Sequence, residues 1–406
     1  MTSAEQRTLS CVVTYREVLR HKEMPAVLSA HAVSLTGSVA AEVALSVLIY
    51  RRTSSPLLSS LTLACAFVPQ AFSAIVLSGV VDRIPPRRLL VTIDLLCAVL
   101  VGCMTFEGTP TAVLLLLAAG AGVVTPLFSG ARAATLADIL SGDVWVRARS
   151  MMRVLSQSAL LLGFAVGGLA LAAVGPRTLL VVDALSFVAS AAVLRFGTTD
   201  RPARSAGKPR PSLSALAYAV RQKRLRTILL LMWVPSACVC AIDALATPYA
   251  APSSIGIGLM LAAAAAGSIA SELLGRRVGG HVLAVALLTP LGLGLFAFHP
   301  PVWLAIPLVL LAMQGGAIGQ YLDGLLLDAL PEELRGQLLA LQQGLFMGIQ
   351  GAAIAISGAL AELWPPHWVL AGAGALGAVT VLTLLPRLSS GDQHGSVPGP
   401  AGVSVP

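Results

Sequence analysis

Runs of apolar residues, each close to twenty long, recur from one end of this chain to the other. They lie at 26–49, 57–80, 88–106, 110–134, 154–174, 177–196, 226–248, 254–274, 279–298, 302–327, 337–362 and 366–386. A helix needs about 20 mostly apolar residues to cross the hydrocarbon of a bilayer. In that solvent only helices and closed barrels satisfy their own backbone groups, and the period-2 alternation of a barrel strand is missing. The expectation is an all-α integral membrane protein of twelve transmembrane helices. Composition agrees: the chain is 56% hydrophobic and 11% charged, where a soluble domain is about 25% charged.

The basic residues orient the chain. Its net charge of +8 would suit nucleic acid in a soluble protein, but no basic run is interleaved with aromatics, which argues against that partner. Placing the amino terminus in the cytoplasm leaves Arg51, Arg52 and Arg177 as the only basic residues outside. Such a bias is the positive-inside rule, and it predicts cytoplasmic termini. The longest polar stretch between spans divides the chain into a cytoplasmic N-terminus (1–25), a six-helix bundle (26–196), a cytoplasmic linker (197–225), a second six-helix bundle (226–388) and a disordered tail (389–406). Residues 1–23 are polar and do not read as a cleavable signal. Five of the six cysteines fall inside apolar runs, where they read as small buried hydrophobes, not a disulfide framework or a metal site. Segment 9 is interrupted by Gly292 and Gly294 and ends in a turn signal, His299 to Pro301.

Asp82 precedes Arg87 by five residues between segments 2 and 3, and Glu272 precedes Arg277 by five between segments 8 and 9. Two six-span halves with corresponding charged turns suggest a parallel-repeat transporter. The metalloprotease H-E-x-x-H, the G-x-S-x-G elbow and the Walker A motif are all missing. The chain is therefore not expected to be an enzyme, to hydrolyse ATP or to need a cofactor.

The turn "SGVVDRIPPRR" (78–88) resembles the G-x-x-x-D-R-x-G-R-R/K hallmark of the major facilitator superfamily through Gly79, Asp82, Arg83, Arg87 and Arg88, with proline at one glycine position. "ARAATLADIL" (131–140), "GFAVGG" (163–168), "VVDALSFVASA" (181–191) and "LPEELRGQLLAL" (330–341) are similar, in order, to motifs of the superfamily's enterobactin and macrolide exporters. Phe164 replaces a proline of the helix 5 motif, Arg149 replaces an asparagine, Cys97 stands where helix 3 often carries arginine, and Gln337 replaces the last arginine of the turn before helix 11.

The resemblance implies a secondary transporter that exports a small amphipathic molecule in exchange for protons. An importer or lipid flippase of the same fold, and a scaffold or sensor that no longer transports, stay open as alternatives. The implied partners are a small-molecule substrate, protons and the lipid bilayer, for a monomer. Arginine far outnumbers lysine and asparagine is absent, a bias that suits a high-GC bacterium and hence its plasma membrane. In the superfamily helices 1, 4, 7 and 10 line the cavity, so Glu42, Asp243 and Asp323 become candidates for proton coupling or substrate contact, Glu42 first. Asp94 and Asp183 would be structural buried charges on outer helices. Asp82 would cap helix 11 near Arg335 and Gly336 as a latch. Arg132 is contested between Asp82 and Asp94, and it is expected beside Asp94. His31, Trp233, Gln314, Gln320 and Gln343 could supply polar points in the cavity, with Tyr321 and Gln350 behind them.

Overall fold

The computed structural model describes residues 15–76, 84–140, 142–202, 221–251, 253–275, 281–329 and 332–391, and every element in them is helical. A short helix α1 (Tyr15–Arg20) precedes α2 (Met24–Thr53), α3 (Pro56–Val76), α4 (Pro86–Met104), α5 (Thr111–Ile139), α6 (Gly142–Val174) and α7 (Pro176–Gly197). After residues 203–220 come α8 (Lys223–Ala250), α9 (Ser254–Gly275), α10 (Val282–Ala286), α11 (Leu288–Gly294), α12 (Val302–Gln314), α13 (Gly319–Asp328), α14 (Glu332–Leu360) and α15 (Pro366–Gly391). Among the described residues, eight helices are long and apolar enough to cross a membrane, and shorter apolar helices cover Pro56–Gln70, Val282–Phe298 and Leu345–Leu360.

Several boundaries move. Helix α6 begins at Gly142, twelve residues before its apolar run, and α14 begins at Glu332, five before. The reason is that hydropathy marks where a chain enters lipid, whereas a helix outside lipid needs only its own backbone bonds. Helix α8 begins at Lys223, inside the range 197–225, and α15 runs past 389 to Gly391. The ninth segment is broken twice: α10 gives way to α11 around Leu287, and α11 ends at Gly294, where a 3₁₀ turn takes over at Leu295–Phe298. Gly292 serves close packing instead, since a Cβ there would sit 2.6 Å from the Ala312 backbone nitrogen of α12. The predicted turn after it is present, with His299 in the left-handed region at φ 49°.

Small residues set how the helices meet, as expected where packing and not water drives association. Helix α3 runs against α14 and helix α6 against α9. At the second contact a Cβ built on Gly168 would lie 2.5 Å from Gly258 Cα, so the two backbones touch directly. The largest buried cluster spans the two parts of the chain, joining Val47 and Leu171 to Ala241, Leu245 and Met260.

Polar contacts gather at two ends of the molecule. At one end Arg201 grips the Glu23 carboxylate with two hydrogen bonds of 2.9 and 2.6 Å, and Thr199 Oγ1 adds a third at 2.8 Å. Arg88 Nη2 lies 3.4 Å from Asp200 on the same segment, and Arg87 donates to the Arg195 carbonyl. Burial alone would raise the Glu23 carboxyl, but the bonds from Arg201 and Thr199 outweigh it and hold it below its usual range. At the other end Arg51 Nη2 donates to Ser254 Oγ at 3.2 Å, Arg52 donates to the Thr109 carbonyl at 2.9 Å, and Ser55 bonds Glu362.

Candidate functional site: a charged cavity in the first half of the chain

Helix α2 carries a polar stripe. His31, Leu35, Ser38, Glu42 and Leu45 recur at helical spacing and all face one cavity of about 310 Å³. Among the described residues its walls come from α2 to α7, with none beyond Phe187. It holds Glu42, Asp94, Asp183, Arg132 and His31 together. Asp94 and Asp183 thus face the same space as Glu42, although segments 3 and 6 were expected to lie outside the substrate path.

Each buried polar group has a definable role. Asp183 is 2% exposed and its Oδ1 accepts from Ser186 Oγ at 3.2 Å and Ser38 Oγ at 3.4 Å. Gly37 makes this approach possible, because a Cβ there would meet Ser186 Oγ at 2.5 Å and Asp183 Oδ1 at 2.8 Å. Asp94 is 1% exposed; its Oδ2 accepts from Ser190 Oγ at 2.6 Å. Asp94 Oδ1 is buried without a partner, and so is Arg132 Nε.

Arg132 sits over the Phe128 ring at 4.4 Å, a cation–π contact. Its Nη1 donates to His31. His31 Nε2 lies 2.7 Å from Ser156 Oγ, and that hydroxyl donates to the Met152 carbonyl at 2.9 Å. Arg132 has no lone pair to offer, so a ring nitrogen that meets its Nη1 must be the acceptor, and His31 is neutral in this arrangement. Arg132 and Asp94 share the cavity and interact electrostatically, but no ion pair within 4 Å joins them among the described residues.

Glu42 also looks toward the second half of the chain. One turn further along α2, Ser46 Oγ lies 2.9 Å from Thr247 Oγ1 of α8 and 2.9 Å from Ser59 Oγ of α3. Asp243 is one turn before Thr247, so the two carboxylates occupy matching positions beside this crossing, and their charges interact. Glu42 interacts likewise with Asp183.

The other sequence candidates fall elsewhere. Asp323 is exposed on α13 and interacts electrostatically with Arg153 of α6. Gln314 spends its amide on the Gly267 and Leu310 carbonyls, at 3.3 and 3.0 Å. Trp233 packs beside the cluster of Leu225, Ile228 and Leu322, and Gln350 donates to Ser236 at 3.2 Å. None of these lines the cavity. Tyr321 is 43% exposed. Gly79, Asp82 and Arg83 lie outside the described residues, as do Arg276 and Arg277 of the corresponding turn. Arg335 and Gly336 fall on α14 and Gln320 and Gln343 on helices, but their side chains are outside the described residues too. Sequence reasoning missed Ser38, Ser156 and Ser190. Only Ser38 left a signal, since it sits one turn before Glu42 on the polar stripe.

Residues 27–280 match the Major Facilitator Superfamily. The chain belongs to that superfamily. Solved structures of similar fold include a POT family transporter in complex with a thioalcohol-conjugated peptide (TM-score 0.69, 11% identity, 91% of this chain and 96% of that one). A second is a mutant form of the nucleoside transporter NupG (TM-score 0.70, 13% identity, 89% and 99%). A third is a mutant form of the peptide transporter POT in complex with alafosfalin (TM-score 0.68, 13% identity, 91% and 94%). Comparison with curated protein sequences finds no match. The fold of this superfamily member is one it shares with solved membrane transporters.

Proposed function

We propose that this superfamily member is a proton-coupled exporter of small amphipathic molecules, working by alternating access between two six-helix bundles (26–196 and 226–388) with both termini in the cytoplasm. The observation that carries the reading is that Glu42 of α2 and Asp243 of α8 each stand one turn before the Ser46–Thr247 hydrogen bond, which brings two carboxyl groups to the contact between the halves of the chain. Two carboxylates that interact across a low-dielectric contact repel when both are ionised, and a bound proton relieves that repulsion. A seam that tightens and loosens as the bundles rock would therefore take up and release protons.

The positive-inside rule puts the end bearing Arg51, Arg52, Arg177 and Glu362 outside the cell. Contacts between the bundles close that end, through Gly168 against Gly258 and Arg51 on Ser254. The arrangement fits a transporter shut to the outside in a bacterial plasma membrane. The order of the exporter-like motifs supports outward transport, with Asp82, Arg132, Arg335 and Gly336 in the latch. Arg132 holds His31 in the present arrangement, so a latch role requires it to change partner during the cycle.

The test is accumulation of fluorescent amphipathic cations in cells with and without the gene, repeated with a protonophore and with Glu42→Gln. Lower accumulation that both treatments abolish supports the reading. Higher accumulation with the gene would mean import, and no change across a broad panel would mean a protein that does not transport.

A further inference from the structure

We infer that the cavity enclosed by α2 to α7 is itself a ligand site, made for a compact amphipathic amine that carries a hydrogen-bond acceptor. The inference rests on reading the chain as a transporter, and it places recognition inside the first bundle instead of between the two.

Three features converge. The first is unused hydrogen-bonding capacity. Asp94 and Arg132 both line the cavity; Asp94, 1% exposed, has its Oδ1 buried and unpaired, and Arg132 Nε is a buried, unpaired donor. Buried polar atoms without partners are rare and costly, and each needs an explanation. A ligand N–H and a ligand oxygen in the cavity would satisfy both once the two side chains turn toward them.

The second feature is charge. Glu42, Asp94 and Asp183 bring three carboxyl groups to the cavity, while Arg132 brings one guanidinium. His31 adds no positive charge, because its contact with Arg132 requires a neutral ring. A buried carboxylate is tolerated when it is paired, and a ligand ammonium can supply that pairing.

The third feature is shape. About 310 Å³ lies at the small end of the ~300–1,000 Å³ range of small-molecule pockets. Val39, Ile93, Phe128, Leu160 and Phe187 give it apolar walls for a single ring or short branched chain.

Phenylalaninol is a suitable probe, since it joins an ammonium, a hydroxyl and one phenyl ring. Binding is measured by calorimetry on the purified full chain in detergent, where neither a gradient nor a transport direction enters the result. The expected outcome is saturable binding that weakens about tenfold or more in Asp94→Asn, the size of a lost charge-assisted bond. The analogue lacking the amine should lose at least as much. Ala121→Phe, which fills the cavity from α5, should abolish binding at an unchanged melting temperature. Trp233→Phe, outside the cavity, should leave it intact.

The proposal is overturned if phenylalaninol and other compact amino alcohols fail to bind, or if the analogue lacking the amine binds equally well. It is also overturned if Ala121→Phe binds normally, or if Trp233→Phe loses binding as Asp94→Asn does. Should Asp94→Asn fold poorly, the analogue series and Ala121→Phe decide the matter alone. Normal probe binding with no proton-dependent export would reject the proposed function and keep this site.

Discussion

Replacing Gly168 by alanine should loosen the seal between α6 and α9. The added Cβ would lie 2.5 Å from Gly258 Cα and 3.2 Å from the Ser254 carbonyl oxygen, whereas ordinary contact begins near 3.4 Å. Both obstacles are backbone, so no side chain can swing away and the helices must part by about 1 Å. Overpacking of this kind costs about 1–3 kcal/mol. On the proposed reading that this contact closes the outer end, the strain falls on the closed arrangement and shifts the balance toward an open one by about 5–150-fold. Ser254, 7% exposed beneath Arg51, is the reporter position. In a background with every other cysteine replaced by alanine, Ser254→Cys should react with a soluble maleimide faster by that factor when Gly168→Ala is added. Gly258→Ala should act alike, since its Cβ would lie 2.5 Å from Gly168 Cα. Gly372→Ala is the control: nothing lies within 4 Å of a Cβ there, and it should leave labelling unchanged. Unchanged labelling and melting temperature in both Gly168→Ala and Gly258→Ala would refute the reasoning.

Other expectations follow from the same packing. Glu23→Gln should destabilise the solubilised protein by about 1 kcal/mol at neutral pH, given a two-pronged arginine contact with side chains only 25% and 15% exposed. Because the folded carboxyl is held low, its contribution is present above the ordinary Glu range and lost as pH falls through the lowered value; melting curves of wild type and Glu23→Gln should converge in acid, and a gap that persists there would contradict it. Thr247→Ala should cost about 0.5–1.5 kcal/mol in thermal stability, and Ser46→Ala more, because Ser46 also holds Ser59. Phe296→Ala removes a fully buried ring that meets Tyr249 edge-on at 5.4 Å, and should cost about 3–5 kcal/mol.

The helices of this protein were legible because lipid leaves the backbone so few choices. A long apolar run commits the chain to helix whatever it later packs against. The same reasoning failed at helix ends in water: α6 takes in the polar stretch from Gly142, which the runs could not show. It also misjudged Gly292, which looked like a break and is a contact. Glycine is needed at both kinds of position, so its identity alone does not separate them.

The candidate site was legible as a set of residue types and not as a place. Charges inside apolar segments drew notice to Glu42, Asp94, Arg132, Asp183 and Asp243 because each is costly in lipid. Sequence periodicity could have placed His31, Ser38 and Glu42 on one face of α2, since that relation is internal to a helix. It could not place Asp94 and Asp183 opposite that face. How far each helix is turned about its own axis depends on neighbours such as Gly37, whose missing side chain admits Asp183. Nor could it tell that Gln314 spends its amide on the carbonyls of Gly267 and Leu310, or that Ser156 and Arg132 meet the His31 ring. Hydrophobic length, a one-dimensional property, determined that this chain is helical and built for membrane. Which charges share a cavity depends on how helices distant in sequence rotate and press together, and only the tertiary structure decided that.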